Sequence, residues 1–227
     1  AVTPPSPAQA ANPPAPAAEP AKITRPSSWK KDHWEAFDKL AAEARSTADP
    51  AEALQWYRAA ADAGFPAVEY LFPFVREKQE LVDCLRSAGL TQALLNMPGG
   101  DWENGERGLT CLPGREAEFQ DGIGRAVDYA LALECPTIHA VAGLAPAGGP
   151  ERAAHEDTYR RNLAWAADAL APHGLTLSIE PINGKRDVPG FFLQTTGQAL
   201  AIMDEVGKDN VKLQFDVYHV QIMEGDL

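Results

Sequence analysis

Two apolar runs that end at a carboxylate constrain the fold of this chain more than any other feature. Residues 176–180 (TLSIE) and 211–217 (VKLQFDV) have the composition of short β-strands, and a loop and a helical stretch separate them. This order is typical of one parallel βαβ unit. A buried carboxylate is costly unless it meets a proton or a cation, but barrel enzymes place their chemistry at the carboxyl ends of parallel strands. The pattern alone is equally compatible with a functional site that contains Glu180 and Asp216 and with carboxylates that cap strand ends or form salt bridges.

The sequence from Gly64 onward repeats this alternation of strands and helices. The predicted strands lie at 68–72, 91–96, 137–142, 176–180 and 211–217, and the predicted helices at 77–87, 116–133, 151–173 and 195–206. Regular alternation is typical of an α/β fold with a parallel sheet. We therefore expect residues 64–227 to form one α/β domain.

The first quarter of the chain has a different character. Residues 1–28 are rich in proline and alanine and lack a hydrophobic period, which predicts a disordered tail. Residues 29–63 carry helical patterns, with a helix start at Asp49 and Pro50. Residues 49–64 resemble a single Sel1-like repeat, a weak signal because solenoids need about three repeats, and the same helix would equally serve as the first helix of a barrel.

Several motifs resemble those of the hydroxypyruvate isomerases, which belong to the xylose isomerase-like TIM barrels. They lie at 96–102 (NMPGGDW), 105–108 (GERG), 111–116 (CLPGRE), 179–183 (IEPIN), 187–193 (DVPGFFL) and 214–226 (QFDVYHVQIMEGD). The resemblance covers residues from about 60 to 227 and implies a (β/α)8 barrel. About strands two to six of such a barrel have counterparts here, so we expect an incomplete barrel.

The resemblance implies an isomerase that interconverts hydroxypyruvate and 2-hydroxy-3-oxopropanoate (tartronate semialdehyde). Such a reaction removes a proton beside a carbonyl group, so it needs a base and a group that holds the enediolate oxygens. A divalent metal, Mg²⁺ or Mn²⁺, suits the second task. The resemblance implies that Glu180 and Asp216 are metal ligands, that Glu180 takes part in proton transfer, and that His219 is catalytic at the substrate oxygens.

Each of these assignments has a structural alternative. The two carboxylates could instead cap strand ends or form salt bridges with Lys185 or Arg186. His219 could be a surface histidine at the start of a helix. Glu69, inside the predicted strand at 68–72, is a plausible inward-facing residue without an assigned chemical role.

Three further residues are candidates for substrate binding: Trp102, Arg107 and His139. Long loops on a rigid scaffold are usually functional, and Arg107 in the loop at 99–108 could pair with a substrate carboxylate. It could equally be held by Asp101 or Glu106 in the same loop. His139 lies inside a predicted strand, where a core position is as compatible as a catalytic one.

Charge and cysteine content narrow the partners. The net charge of −12 provides no basic footprint for nucleic acid, and with five histidines it argues against a multi-zinc DNA-repair endonuclease of the same superfamily. Three cysteines at no metal spacing favour a reducing, cytoplasmic setting. No apolar run is long enough to span a membrane. The expectation of a small keto acid or sugar as the substrate comes from the resemblance to the hydroxypyruvate isomerases.

Two other functions stay open from the sequence. One is isomerisation of a longer 2-keto acid or epimerisation of a keto sugar, and the other is a non-catalytic interaction role for Sel1-like helices. Strands one, seven and eight have no counterpart here, and in the family strands seven and eight supply a further metal ligand and a second catalytic carboxylate. We therefore expect weak activity unless another chain supplies them. An open sheet also exposes two edges, which favours a homo-oligomer.

Overall fold

The computed structural model describes residues 50–225, and a five-stranded sheet forms their centre. Its strands are β1 (Ala67–Glu69), β2 (Thr91–Asn96), β3 (Thr137–His139), β4 (Thr176–Ile179) and β5 (Val211–Leu213). They lie in chain order, and every neighbouring pair is parallel. The predicted tail at 1–28 and the helical pattern at 29–45 lie outside the described residues.

Helices follow the strands in regular alternation. They are α1 (Pro50–Asp62), α2 (Lys78–Ala88), α3 (Glu116–Ala132), α4 (Gly149–Leu170), α5 (Thr196–Val206) and α6 (Val217–Met223), with short 3-10 turns at Pro73–Val75 and Ala171–His173. Within residues 50–225 the sheet has no strand beyond β1 or β5, so these parallel strands with intervening helices form an incomplete α/β barrel. The predicted fold class is confirmed.

Apolar stripes of the helices form the core together with the strands. On α4 the buried stripe consists of Tyr159, Leu163, Ala166, Ala167 and Leu170, all of which the helical period predicts. Tyr57 of α1 is also buried, and its ring lies 6.2 Å from the ring of Tyr70. The helix that resembles a Sel1-like repeat therefore packs into the same core as the sheet.

Successive loops are hydrogen-bonded to one another along the carboxyl edge of the sheet. Gly108, in the loop after β2, pairs with Ala142 after β3, and Leu144 pairs with Phe191 after β4. The first contact requires glycine, because Gly108 has φ +110° and a Cβ there would lie 2.2 Å from the carbonyl oxygen of Val141. These contacts join three loops into one rim around the strand ends.

The predicted strand at 211–217 is wrong at its end. β5 stops at Leu213, and Val217 is already the first residue of α6. Asp216 is the N-cap of that helix, since its side chain accepts from two backbone N–H groups of the first turn. The strands predicted at 68–72 and 137–142 are also shorter, because the chain leaves the sheet at Glu69 and His139. Within residues 50–225 no helix is long and apolar enough to cross a membrane.

Candidate active site

Three of the predicted site residues meet at the carboxyl edge of the sheet. Glu180 directly follows β4, while Asp216 and His219 lie at the start of α6. One ligand atom from each of the three lies within 4.8 Å of the others. The fold thus brings two carboxylates and an imidazole together from segments that are about 36 residues apart in sequence.

The Glu180 carboxylate is buried without a cationic partner. It is 8% exposed, and within the described residues no lysine or arginine pairs with it. Nδ1 of His139 lies 3.9 Å from its Oε2. Burial, together with the negative charges of Asp216 and Glu69, raises the pKa of Glu180 to about 8. At neutral pH this position therefore favours a bound proton or a cation.

The salt bridges considered as alternatives do not form. Lys185 donates its Nζ to the carbonyl oxygens of Ile222 and Met223, each at 3.0 Å, so it caps the end of α6. Within the described residues, the guanidinium of Arg186 forms no ion pair. Neither cation neutralises the carboxylates of the site.

Asp216 does cap a helix, as one alternative proposed. Its Oδ1 accepts from the backbone N–H groups of Tyr218 at 2.7 Å and His219 at 3.2 Å. These bonds occupy only one of the two carboxylate oxygens, so Oδ2 is available to a ligand. The cap and a ligand role are therefore compatible, and the cap fixes the carboxylate beside Glu180.

An amide that sequence reasoning did not single out orients His219. Asn183 is fully buried, and its Nδ2 donates to Nδ1 of His219 at 2.8 Å and to Oδ2 of Asp187 at 2.8 Å. Its Oδ1 accepts from the backbone N–H groups of Arg186 and Asp187. With Asn183 assigned as the donor, the imidazole carries its proton on Nε2. The only sequence signal was the position of Asn183 three residues after Glu180.

His139 pairs with a second buried amide. Its Nδ1 lies 3.0 Å from Oδ1 of Asn96, which ends β2. Burial lowers the pKa of His139 to about 4, so the ring is neutral, with its proton on the nitrogen that faces Asn96. Within the described residues Nε2 is buried without a hydrogen-bond partner. His139 is thus a core residue whose Nε2 has no hydrogen-bond partner in the described structure, and its role in substrate binding stays a prediction.

Arg107 and Trp102 lie on the same rim but make no hydrogen bond or ion pair with the Glu180 group within residues 50–225. Nη1 of Arg107 donates to the carbonyl oxygens of Trp102 at 3.0 Å and Glu106 at 2.7 Å, and the guanidinium stacks over the indole, 4.5 Å from its centroid. The carboxylate of Glu106 pairs with Arg115 instead. The salt bridges that could have held Arg107 within its own loop are absent from the described structure.

A parallel α/β sheet with carboxylates at its strand ends defines a TIM-barrel type of protein. Residues 57–227 match the model of the xylose isomerase-like TIM barrels, and the chain belongs to that family. The resemblance predicted from the motifs is confirmed at this level.

Named relatives lie among isomerases. The chain is 52% identical over 174 residues to a 2-oxo-tetronate isomerase of Cupriavidus necator, covering 77% of this chain and 66% of the relative. It is 46% identical over 171 residues to a hydroxypyruvate isomerase of Escherichia coli, covering 75% and 66%. A crystal structure titled as an AP endonuclease, family 2, from Brucella melitensis superposes with a TM-score of 0.73 at 45% identity, covering 77% and 66%. The chain thus spans about 66% of the length of these relatives.

Proposed function

We propose that the protein is an isomerase of small 2-oxo acids that interconverts hydroxypyruvate and tartronate semialdehyde. The observation that carries this proposal is the meeting of Glu180, Asp216 and His219 at the strand ends. The identity to the hydroxypyruvate isomerase of E. coli supports the reaction. The higher identity to the 2-oxo-tetronate isomerase of C. necator makes 2-oxo-tetronate a second candidate substrate of the same class.

The site fits a divalent metal. Glu180 offers a buried carboxylate that lacks a cation in the described structure, and Asp216 offers a free oxygen beside it. Hard oxygen donors of this kind suit Mg²⁺ or Mn²⁺. A bound ion would supply positive charge that stabilises the enediolate oxygens. Glu180 and Asp216 would hold it.

The residues of the chain would divide the proton transfers between them. Glu180 would take a proton from C3 of hydroxypyruvate and return it to C2, while the hydroxyl proton passes from the C3 oxygen to the C2 oxygen. The bonds broken and formed then balance without an added oxidant or reductant. His219, protonated on Nε2 because Asn183 donates to Nδ1, would donate a hydrogen bond to the C2 oxygen as negative charge develops there.

The other functions have less support. The net charge of −12 disfavours a nucleic-acid substrate, although one similar structure carries an endonuclease title. The burial of Tyr57 in the core argues against a separate interaction role for the Sel1-like helix. We also propose that the protein forms a homo-oligomer and resides in the cytoplasm, since β1 and β5 have no further strand partner among the described residues and Cys84, Cys111 and Cys135 are free thiols.

The test is the rate at which hydroxypyruvate yields tartronate semialdehyde in the presence of Mg²⁺ or Mn²⁺. Glu180→Gln should lower kcat by about 100-fold or more, because it removes both the base and a charged metal ligand. Glu103→Gln makes the same chemical change on an exposed loop and should leave the rate unchanged. Full activity in Glu180→Gln, or no activity in the folded wild type, would contradict the proposal.

A further inference from the structure

We propose that Arg107, stacked on Trp102, binds the carboxylate of the substrate and thereby selects 2-oxo acids over neutral keto sugars. The inference rests on the proposed function. A 2-oxo acid carries a negative charge into a site that already contains Glu180 and Asp216, with Glu69 near enough for their charges to interact. Like charges disfavour binding unless a cation meets the far end of the substrate.

The donors of Arg107 are only partly used. Nη1 donates to two backbone carbonyl groups, while Nε and Nη2 have no acceptor within the described residues. The neighbouring carboxylates are occupied elsewhere, because Glu106 binds Arg115 and the backbone N–H of Asp101. Asp101 in turn accepts from the side chain of Asn104 at 2.7 Å. Asp101 and Glu106 are thus bound without the remaining donors of Arg107, and the exposed Glu103 forms no ion pair with Arg107 in the described structure.

The guanidinium is also held in place before any ligand arrives. It lies 4.5 Å from the centroid of Trp102, whose ring lies 4.9 Å from that of Phe72. Stacking of this kind is attractive for a cation and leaves the edge of the planar guanidinium free. That edge can donate two parallel hydrogen bonds to a carboxylate, and a fixed side chain loses little entropy when it does so.

The position of this platform relates it to the active site. Arg107 precedes Gly108, whose pairing with Ala142 ties the loop to the segment that follows His139. Phe72 lies three residues beyond Glu69, where the chain leaves β1. A cavity of about 320 Å³ adjoins Arg107 and gives space beside the guanidinium. The platform therefore belongs to the rim that also carries Glu180.

Other cations of the rim are engaged. Arg115 pairs with two glutamates, Arg152 bonds a glutamate and a backbone carbonyl, and Lys185 bonds the carbonyls at the end of α6. In the loops after β2 and β4, Arg186 is the other arginine that, like Arg107, forms no ion pair within residues 50–225. Because it lacks an aromatic platform in the described structure, it provides the matched control.

The experiment measures binding separately from turnover. Calorimetry in the presence of Mn²⁺ gives the affinity for hydroxypyruvate and for dihydroxyacetone, a neutral analogue with a hydroxymethyl group in place of the carboxylate. In Arg107→Met, hydroxypyruvate should bind about 10- to 100-fold more weakly, while the affinities for dihydroxyacetone and Mn²⁺ stay within about twofold. Arg107→Lys should recover part of the loss, because it restores the charge without the planar fork. Arg186→Met should change neither affinity.

Several outcomes would overturn the inference. They are an equal loss for both compounds in Arg107→Met, an unchanged affinity for hydroxypyruvate in that variant, and a selective loss in Arg186→Met instead. A chain that binds hydroxypyruvate through Arg107 but forms no tartronate semialdehyde would contradict the proposed reaction and support this inference. A chain that turns over hydroxypyruvate with the same KM in Arg107→Met would do the reverse. Absence of hydroxypyruvate binding in the wild type would contradict both.

Discussion

The buried carboxylate of Glu180 should make the metal-free protein less stable as the pH rises from about 6.5 to 8. Burial and neighbouring acids raise its pKa from 4.5 to about 8 in the folded chain. The folded state then binds this proton more tightly than the unfolded state does. The resulting stabilisation is present at low pH and is lost as the pH rises through the folded pKa.

His139 limits the pH range in which this effect can be measured, because its burial changes the unfolding free energy with pH in the opposite direction. Burial lowers the pKa of His139 from 6.5 to about 4, so its contribution to stability increases as the pH rises to about 6.5 and is constant above. Above pH 6.5 Glu180 is therefore the main source of the slope among the described residues. Each pH unit in which only the folded state holds the proton is worth about 1.4 kcal/mol, so the window from 6.5 to 8 gives a loss of about 2 kcal/mol.

Urea unfolding followed by circular dichroism, with EDTA present at pH 6.5, 7.0, 7.5 and 8.0, measures this slope. Wild type and Glu103→Gln should both lose about 2 kcal/mol of unfolding free energy, whereas Glu180→Gln should show a flat profile. Mn²⁺ should stabilise wild type more at pH 8 than at pH 6.5, since the ion competes with the proton for Glu180. Equal slopes in wild type and Glu180→Gln would refute the reasoning.

Two further variants test the site and its rim. Asp216→Asn keeps an oxygen that can cap α6, so the melting temperature of the metal-free protein should stay within about 2 °C of the wild type. Calorimetry should show a loss of Mn²⁺ affinity of about 10-fold. An unchanged Mn²⁺ affinity would argue against a ligand role for Asp216. Gly108→Ala places a Cβ 2.2 Å from a backbone oxygen, whereas Gly105→Ala, at φ +95°, meets nothing within 4 Å. Gly108→Ala should lower the unfolding free energy by about 2 kcal/mol or more, and Gly105→Ala should lower it by about 1 kcal/mol. Equal losses of the two variants in urea unfolding would contradict the close contact at Gly108.

The alternation of strands and helices could be predicted because each segment has the hydrophobic periodicity of its own secondary structure. The β2 strand at Thr91–Asn96 and the buried stripe of α4 match the expectation from sequence. The end of β5 could not be predicted in the same way, because Val217 and Tyr218 continue an apolar run although they are helical. The side chain of Asp216 caps the helix that begins at Val217, and the sequence alone does not distinguish a cap from a metal ligand. The structure shows that one carboxylate has oxygens for both.

The residues that orient the imidazoles could not be found from local patterns. Asn96 and His139 are 43 positions apart, and Asn183 and His219 are 36 apart. Nothing in a short window shows that such residues meet, because the register of parallel strands and the path of the loops decide it. In the folded chain, Nδ1 of His139 lies next to the side-chain amide of Asn96, and Nδ1 of His219 lies next to that of Asn183. The amides fix which ring nitrogen is protonated, a property that matters more to the chemistry than the presence of histidine itself.

The role of Arg107 could not be predicted from the sequence, because it depends on which neighbouring groups pair in the folded loop. The loop contains three acids and one arginine within seven residues, from which self-pairing and ligand binding are equally plausible. Arg115, which lies outside these seven residues, forms an ion pair with Glu106. Glu106, the acid nearest to Arg107 in sequence, is therefore not paired with Arg107. A charge pattern therefore predicts a binding arginine only after the partner of every neighbouring acid is known. In this loop Asp101 and Glu106 are bound by other groups, so Nε and Nη2 of Arg107 have no acceptor within the described residues and can serve the carboxylate of the proposed substrate.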